Sequence, residues 1–267
     1  MNRVARTIAD YHIHTEASSD GKGTMEEYAH KAQEKLMTEI GFSDHIDGER
    51  LKEQSDIFGH NMSRYVEHFR ICKKVSAVRL KLGCEVDYFP IEMNRIERIV
   101  KEYPFDYVIG SVHFVGDWGI DNPTRMNEHS KKDPLESYDK YFRSVREMCR
   151  SRVFDIVGHP DLIKIFGLKP ANDISQMYED TAQVISDSHM CIEINAKGLE
   201  RPCKEMFPSL EFLKILREHS VPITFGSDAH NPADLGVNFR KAVKLAKEAG
   251  YAEACLFVRR EMVSYTI

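Results

Sequence analysis

His12 and His14 stand two residues apart, and Asp10 precedes them at the same spacing. In an extended strand this period of two puts Asp10, His12 and His14 on one face, with Tyr11 and Ile13 on the other. Two imidazoles so placed suit one metal ion, with Asp10 near enough to orient a ring from behind. A histidine pair alone is as readily a packing feature. Related residues recur, however, at the ends of other apolar runs: Ser43-Asp44-His45, Gly83-Cys84-Glu85, Gly110-Ser111-Val112-His113, Gly158-His159-Pro160-Asp161 and Gly226-Ser227-Asp228-Ala229-His230. Clustered and buried without partners, these imidazoles and carboxylates would be costly. Metal ions satisfy them. Asp20, Glu85 and Asp228 supply three negative charges, and ligating histidines are neutral. One divalent ion leaves such a site negative, two leave it slightly positive, and three leave it strongly positive. A strongly positive, water-excluding site suits a phosphate monoester dianion better than a neutral amide. Nitrogen and oxygen donors without cysteine fit Zn, Fe or Mn and speak against a structural zinc.

For these donors to converge, neighbouring strands must carry them on their ends. Seven short, often β-branched apolar runs qualify: residues 8–14, 40–45, 80–88, 107–115, 155–159, 191–196 and 223–228. A helical pattern follows each. The first is marked by a capping box of Thr24 and Glu27 ahead of Met25, Tyr28, Ala29, Ala32 and Leu36. The others cover 62–78, 91–103, 135–152, 174–189, 210–219 and 239–249, and the tail offers a short strand at 256–258. Seven βα units imply parallel strands joined by right-handed crossovers. Polar residues gathered at the C-terminal strand ends favour a barrel, whose sites occupy that face.

Composition sets the outer limits. The chain has 267 residues, 42% hydrophobic and 30% charged, enough core material to exclude wholesale disorder. A single domain over 1–267 is expected. With 37 basic and 42 acidic residues the net charge is −5, which argues against nucleic acid as the main partner. No apolar run approaches the roughly 20 residues of a membrane span, and residues 1–10 lack a signal-peptide core. Six cysteines without close pairing read as free thiols in a reducing cytoplasm.

The ordered set D-x-H-x-H, Asp20, S-D-H, G-x-E, G-S-V-H, G-H-x-D and G-S-D-A-H, over about residues 10–240, resembles the polymerase-and-histidinol-phosphatase (PHP) metallo-phosphoesterases. The resemblance implies a distorted (β/α)7 barrel and three divalent metal ions. His12, His14, Glu85 and Asp228 would hold the first, Glu85 with His113 and His159 the second, and Asp20, His45 and His230 the third. It further implies in-line attack on phosphorus by a metal-bridging hydroxide, with Asp228 or His230 passing a proton to the leaving group. Residues 111–114, 118–123, 159–164 and 193–195 look most like the branch that hydrolyses L-histidinol phosphate. One departure stands out: where that branch usually has arginine after the sixth strand, this chain has Glu200. Lys164, Lys197 and Arg201 are the candidate phosphate contacts; Asp117 and Asp121 could meet a substrate ammonium or cap a loop. Trp118 could stack on a substrate ring or anchor its loop. Asp10 and Asp44 are expected to support ligands from behind. His30, His60, His68, His129, His189 and His219 fall away from the strand ends and carry no expected role. Other readings are a PHP enzyme acting on a nucleotide or oligonucleotide, and a non-catalytic metal-binding regulatory module. An amidohydrolase-type (β/α)8 barrel fits less well, since an eighth unit is missing.

Overall fold

The computed structural model describes residues 9–46 and 57–267, the side chains of 57–61 excepted. Ile8 of the first expected strand, the N-terminal residues 1–8 and the side chain of His60 lie outside the described residues.

Parallel strands β1 (Glu39–Phe42), β3 (Arg79–Asp87), β4 (Tyr107–Ser111), β7 (Ile156–Val157), β8 (Cys191–Asn195) and β9 (Ile223–Gly226) pair in that order, and β2 (His45–Ile46) continues beside β3. Residues 10–14 close the ring. On one side Gly41 N donates to Asp10 O at 2.7 Å and Ser43 N to Ile13 O at 2.9 Å. On the other, Tyr11 N donates to Phe225 O at 3.1 Å and His14 N to Ala229 O at 2.8 Å. The sheet is therefore a curled parallel barrel, as the sequence resemblance implies, with the 10–14 segment attached by single bridges instead of a regular strand. The expected strand at 107–115 stops at Ser111: Val112 and His113 leave the sheet, and Phe114–Val115 (β5) pairs antiparallel with Trp118–Gly119 (β6). A turn through Gly116, at φ +63°, makes that small hairpin.

Helices wrap the barrel, and their starts follow local chemistry. Thr24 and Glu27 form the capping box of Met25–Glu34. Asp133 caps Pro134–Arg150, which opens on proline, and Ser209 caps Leu210–Glu218. Each buries one apolar stripe, such as Ile96, Ile99 and Val100 on Met93–Glu102. The expected tail strand belongs to a hairpin of β10 (Glu253–Val258) and β11 (Glu261–Thr266). Its Phe257 is fully buried against the rings of Tyr11 and Tyr107, at 5.8 and 6.1 Å, plugging the end of the barrel that carries no donors. Among the described residues no helix is long and apolar enough to cross a membrane.

Candidate metal centre

The strand ends bring the expected donors together. His12 and His14 reach in from the 10–14 segment, with Nε2 atoms 3.3 and 3.5 Å from Glu85 Oε2. Glu85, on β3, lies 3.1 Å from His45 Nδ1 and 3.0 Å from His159 Nε2, and accepts from Ser111 Oγ at 2.6 Å. His113 Nε2 stands 3.2 Å from His159 Nε2. Asp228 Oδ1 lies 3.6 Å from His14 Nε2 and 3.4 Å from His230 Nδ1. Asp20 completes the group, 3.2 Å from His230 and 3.6 Å from His45. His159 and Asp228 take positive φ, 24° and 53°, a region non-glycine residues enter at a cost and which clusters at functional sites.

Two carboxylates behind the ring of donors set its orientation. Glu193 Oε1 is 2.7 Å from His12 Nδ1, and Asp87 Oδ1 is 2.5 Å from His113 Nδ1. Such partners fix the tautomer, turning Nε2 toward the centre. Gly226 makes the first contact feasible, because a Cβ there would fall 1.7 Å from Glu193 Oε1. Sequence reading passed over both as site residues. The signal was present for Asp87, which repeats the period-two spacing from Glu85 that joins His12 to His14.

A metal fits this chemistry. His12 Nε2, both ring nitrogens of His14 and His159 Nδ1 are buried with no hydrogen-bond partner. Burial, then the neighbouring His45 and His230, hold the His14 ring well below the usual histidine pKa, so it is a neutral donor. Burial would depress His12 too, but Glu193, Glu85 and Asp228 outweigh it and raise its pKa well above the usual value. For His113, Asp87 and Asp121 overcome burial and push the value up to about 10. Glu85 is held well below the carboxylate range, its burial outweighed by His12, His45 and His113. Among the described residues, three sets have donor atoms within 4.8 Å of one another: His12, His14 and Asp228; His12, Glu85 and His159; and His14, His45 and His230. Donors shared between sets are what a multinuclear centre requires, and the residues support bound divalent metal.

A family model described as the PHP domain matches residues 10–197. The chain belongs to the PHP domain family. A probable histidinol-phosphatase of Deinococcus radiodurans is 30% identical over 246 residues, covering 91% of this chain and 94% of that protein. The histidinol-phosphatase of Lactococcus lactis is 23% identical, covering 93% of each. A crystal structure of histidinol phosphate phosphatase from Lactococcus lactis, complexed with Zn, L-histidinol and phosphate, has a TM-score of 0.79 and 20% identity, covering 96% of this chain and 99% of that one. That likeness is one of fold.

In this PHP domain the supporting residues settle in different places from the ligands. A cavity of about 750 Å³ opens over Asp20, His45, Glu85, His113, His159, Asp228 and His230, with Lys197, Arg201, Asp121 and Arg125 also lining it. Lys197 Nζ is 3.1 Å from Asp234 and 3.3 Å from Glu200, so the departing Glu200 sits against the lysine. Lys164 does not reach this cavity. Its ammonium is buried 2.7 Å from Asp161, and donates to Met206 O at 2.8 Å, because the 3-10 turn Leu162–Lys164 folds it inward. Asp117 is exposed at the turn of the β5–β6 hairpin, where Arg125 donates to its carbonyl at 2.8 Å. Trp118 is buried edge-on to His129, ring centroids 4.5 Å apart, with Lys132 over its face, so it anchors the loop. Among the described residues Asp10 touches no imidazole; it accepts from the main chain of His12, Ser227 and Gly236 and so pins strand ends. Asp44 braces Thr15 and Ser18 on the way to Asp20.

Proposed function

We propose that this chain is a metal-dependent phosphomonoesterase hydrolysing L-histidinol phosphate to L-histidinol and phosphate, with 1–267 acting as one catalytic domain. The observation that carries the reading is the convergence of six histidines and three carboxylates, several with orphaned buried nitrogens, beneath a cavity also lined by Lys197 and Arg201. The histidinol-phosphatases among its relatives favour the substrate.

His12, His14, Glu85 and Asp228 would hold one metal, Glu85, His113 and His159 a second, and Asp20, His45 and His230 a third. Bound there, divalent Zn, Fe or Mn would supply Lewis acidity, activating water and neutralising phosphoryl oxygens. The charge count favours three ions. With Asp87 and Glu193 added to Glu85, Asp228 and Asp20, the centre carries five carboxylates. Two divalent ions leave it one charge negative and three leave it one positive, which suits a phosphate dianion.

The chain's own groups do the rest. Lys197 and Arg201 bind phosphate oxygens, and Asp121 faces the substrate ammonium across the cavity. Both nitrogens of His230 are engaged, Nδ1 by Asp228 O at 3.0 Å and Nε2 by Asp20. Asp228 or His230 would pass the proton that reaches the departing alkoxide, and Asn195 Nδ2 steadies the Asp228 carboxylate at 3.3 Å. The reading sets the reaction in histidine biosynthesis in the cytoplasm, which keeps the six free cysteines reduced. Phosphate release from L-histidinol phosphate, nucleoside monophosphates and an aryl phosphate tests it. Preference for histidinol phosphate by orders of magnitude in kcat/KM is expected; equal turnover of all three would overturn the substrate assignment.

A further inference from the structure

Lys197 lines the catalytic cavity with its ammonium against two carboxylates. It donates to Asp234 Oδ2 at 3.1 Å and forms an ion pair with Glu200 Oε2 at 3.3 Å. A phosphate dianion approaching this ammonium competes with both of them. The two are not held alike.

Asp234 is pinned. It ends the 3-10 turn Pro232–Asp234, which Asn231 caps by accepting from Ala233 N at 3.0 Å. Lys35, at the end of the helix Met25–Glu34, donates to Ala233 O at 3.3 Å and to Leu235 O at 2.5 Å. Gly236 N then donates to Asp10 at 3.0 Å. A short side chain on so fixed a main chain leaves its carboxylate little room to move. Glu200 instead closes the turn Ala196–Glu200, three residues after Lys197. Its longer side chain regains more rotamer freedom on release, and an ion pair between partly exposed groups is weak enough to exchange. The main chain of Lys197 is itself fixed, because its N donates to Asn195 Oδ1 at 3.0 Å while Asn195 Nδ2 reaches Asp228 at 3.3 Å. Exchange at this point is therefore a movement of side chains and leaves the loop in place.

We infer that Asp234 is a positioning residue for phosphate binding: it tethers the Lys197 ammonium at the cavity, while Glu200 partners that ammonium until phosphate takes its place. The phosphate dianion prevails because its charge-assisted bonds are stronger than those of a single carboxylate. Run backwards, the same exchange helps inorganic phosphate to leave, as Glu200 returns to the lysine. The inference rests on the phosphate-binding role given to Lys197 above.

Calorimetry of inorganic phosphate on the metal-loaded full chain reads the exchange. Glu200→Gln removes the competitor at nearly constant shape, so phosphate should bind about two- to fivefold tighter. Asp234→Asn removes the tether, so phosphate should bind about threefold or more weaker, and Asp234→Glu should recover part of the loss. Both shifts should vanish in the Lys197→Met background, since both carboxylates act through that ammonium. A shift that persists there overturns the proposal, as general charge or altered folding would then be its source. Tightening in Asp234→Asn overturns it too, because the two carboxylates would then merely neutralise the lysine. Unchanged affinity in Glu200→Gln, Asp234→Asn or Lys197→Met does the same. Metal content should match the parent throughout, and its loss in Asp234→Asn would make Asp234 a support of the metal centre instead. Phosphate binding needs no turnover, so failure to prefer L-histidinol phosphate would count against the substrate reading alone.

Discussion

Glu85 is the residue on which the centre turns, since its two oxygens lie within 3.7 Å of five imidazoles, those of His12, His14, His45, His113 and His159. Glu85→Gln removes the charge and keeps the shape. Activity should fall by orders of magnitude and metal content should drop, while the far-UV dichroism stays native. His68→Ala is the control: that ring, on the outer helix Ile57–Val75, pairs with Glu26 at 3.0 Å and should leave turnover unchanged. Metal retained at the parent level in Glu85→Gln would remove its bridging role. The two lysines expected to grip phosphate now separate. Lys197→Ala should lower kcat/KM by about one to two decades, the worth of a charge-assisted contact of roughly 1.5–3 kcal/mol, at constant metal content. Lys164→Met instead leaves Asp161 buried and unpaired, at a cost of roughly 3–5 kcal/mol, and should appear in urea unfolding. Native stability in Lys164→Met, or native kinetics in Lys197→Ala, would contradict this division. The sequence could show that Lys164 follows a strand end. It could not show which way a three-residue 3-10 turn would point the side chain.

At the scale of elements, period and capping were enough to find the staves and the helices, because each pattern is local. The runs at 80–88, 191–196 and 223–228 became β3, β8 and β9 with ends shifted by one or two residues. What local pattern could not reveal is where a strand stops being paired. Val112 and His113 continue the apolar run of β4, yet only the sheet's neighbours decide that pairing ends at Ser111, freeing His113 to turn toward His159. Glu193 was missed for the same reason, since a carboxylate's partner across a barrel is a long-range fact, whereas Asp87 carried a local signal in its spacing from Glu85. The C-terminal hairpin shows how a distant element serves the site. Phe257 packs on Tyr11, the neighbour of His12, and Phe257 N donates to Tyr11 Oη at 3.2 Å. Phe257→Ala empties a fully buried ring site and should destabilise the fold by about 3–5 kcal/mol. Equilibrium urea unfolding measures it, and a loss under about 1 kcal/mol would show that the hairpin does not plug the barrel.

For the whole molecule, the centre is a concentration of unmet donors that folding alone leaves costly. His12, His14 and Glu85 are at most 1% exposed, and three ring nitrogens of the two histidines have no hydrogen-bond partner. A ligand that binds the folded chain and not the unfolded one stabilises it by mass action, about 4 kcal/mol at a thousandfold excess over Kd. In a chain of this size, each kcal/mol moves the melting temperature by roughly 2–4 °C. Chelation should therefore lower the melting temperature by about ten degrees or more, with loss of phosphate release. Adding back Zn, Mn or Fe should restore both together, and elemental analysis of the reloaded protein should find three ions per chain. The charge balance makes the count informative: with five carboxylates, only the third ion turns the site positive. A protein that melts at the same temperature after exhaustive chelation, or that recovers full activity with one ion bound, would show that this convergence of donors is not a three-metal centre.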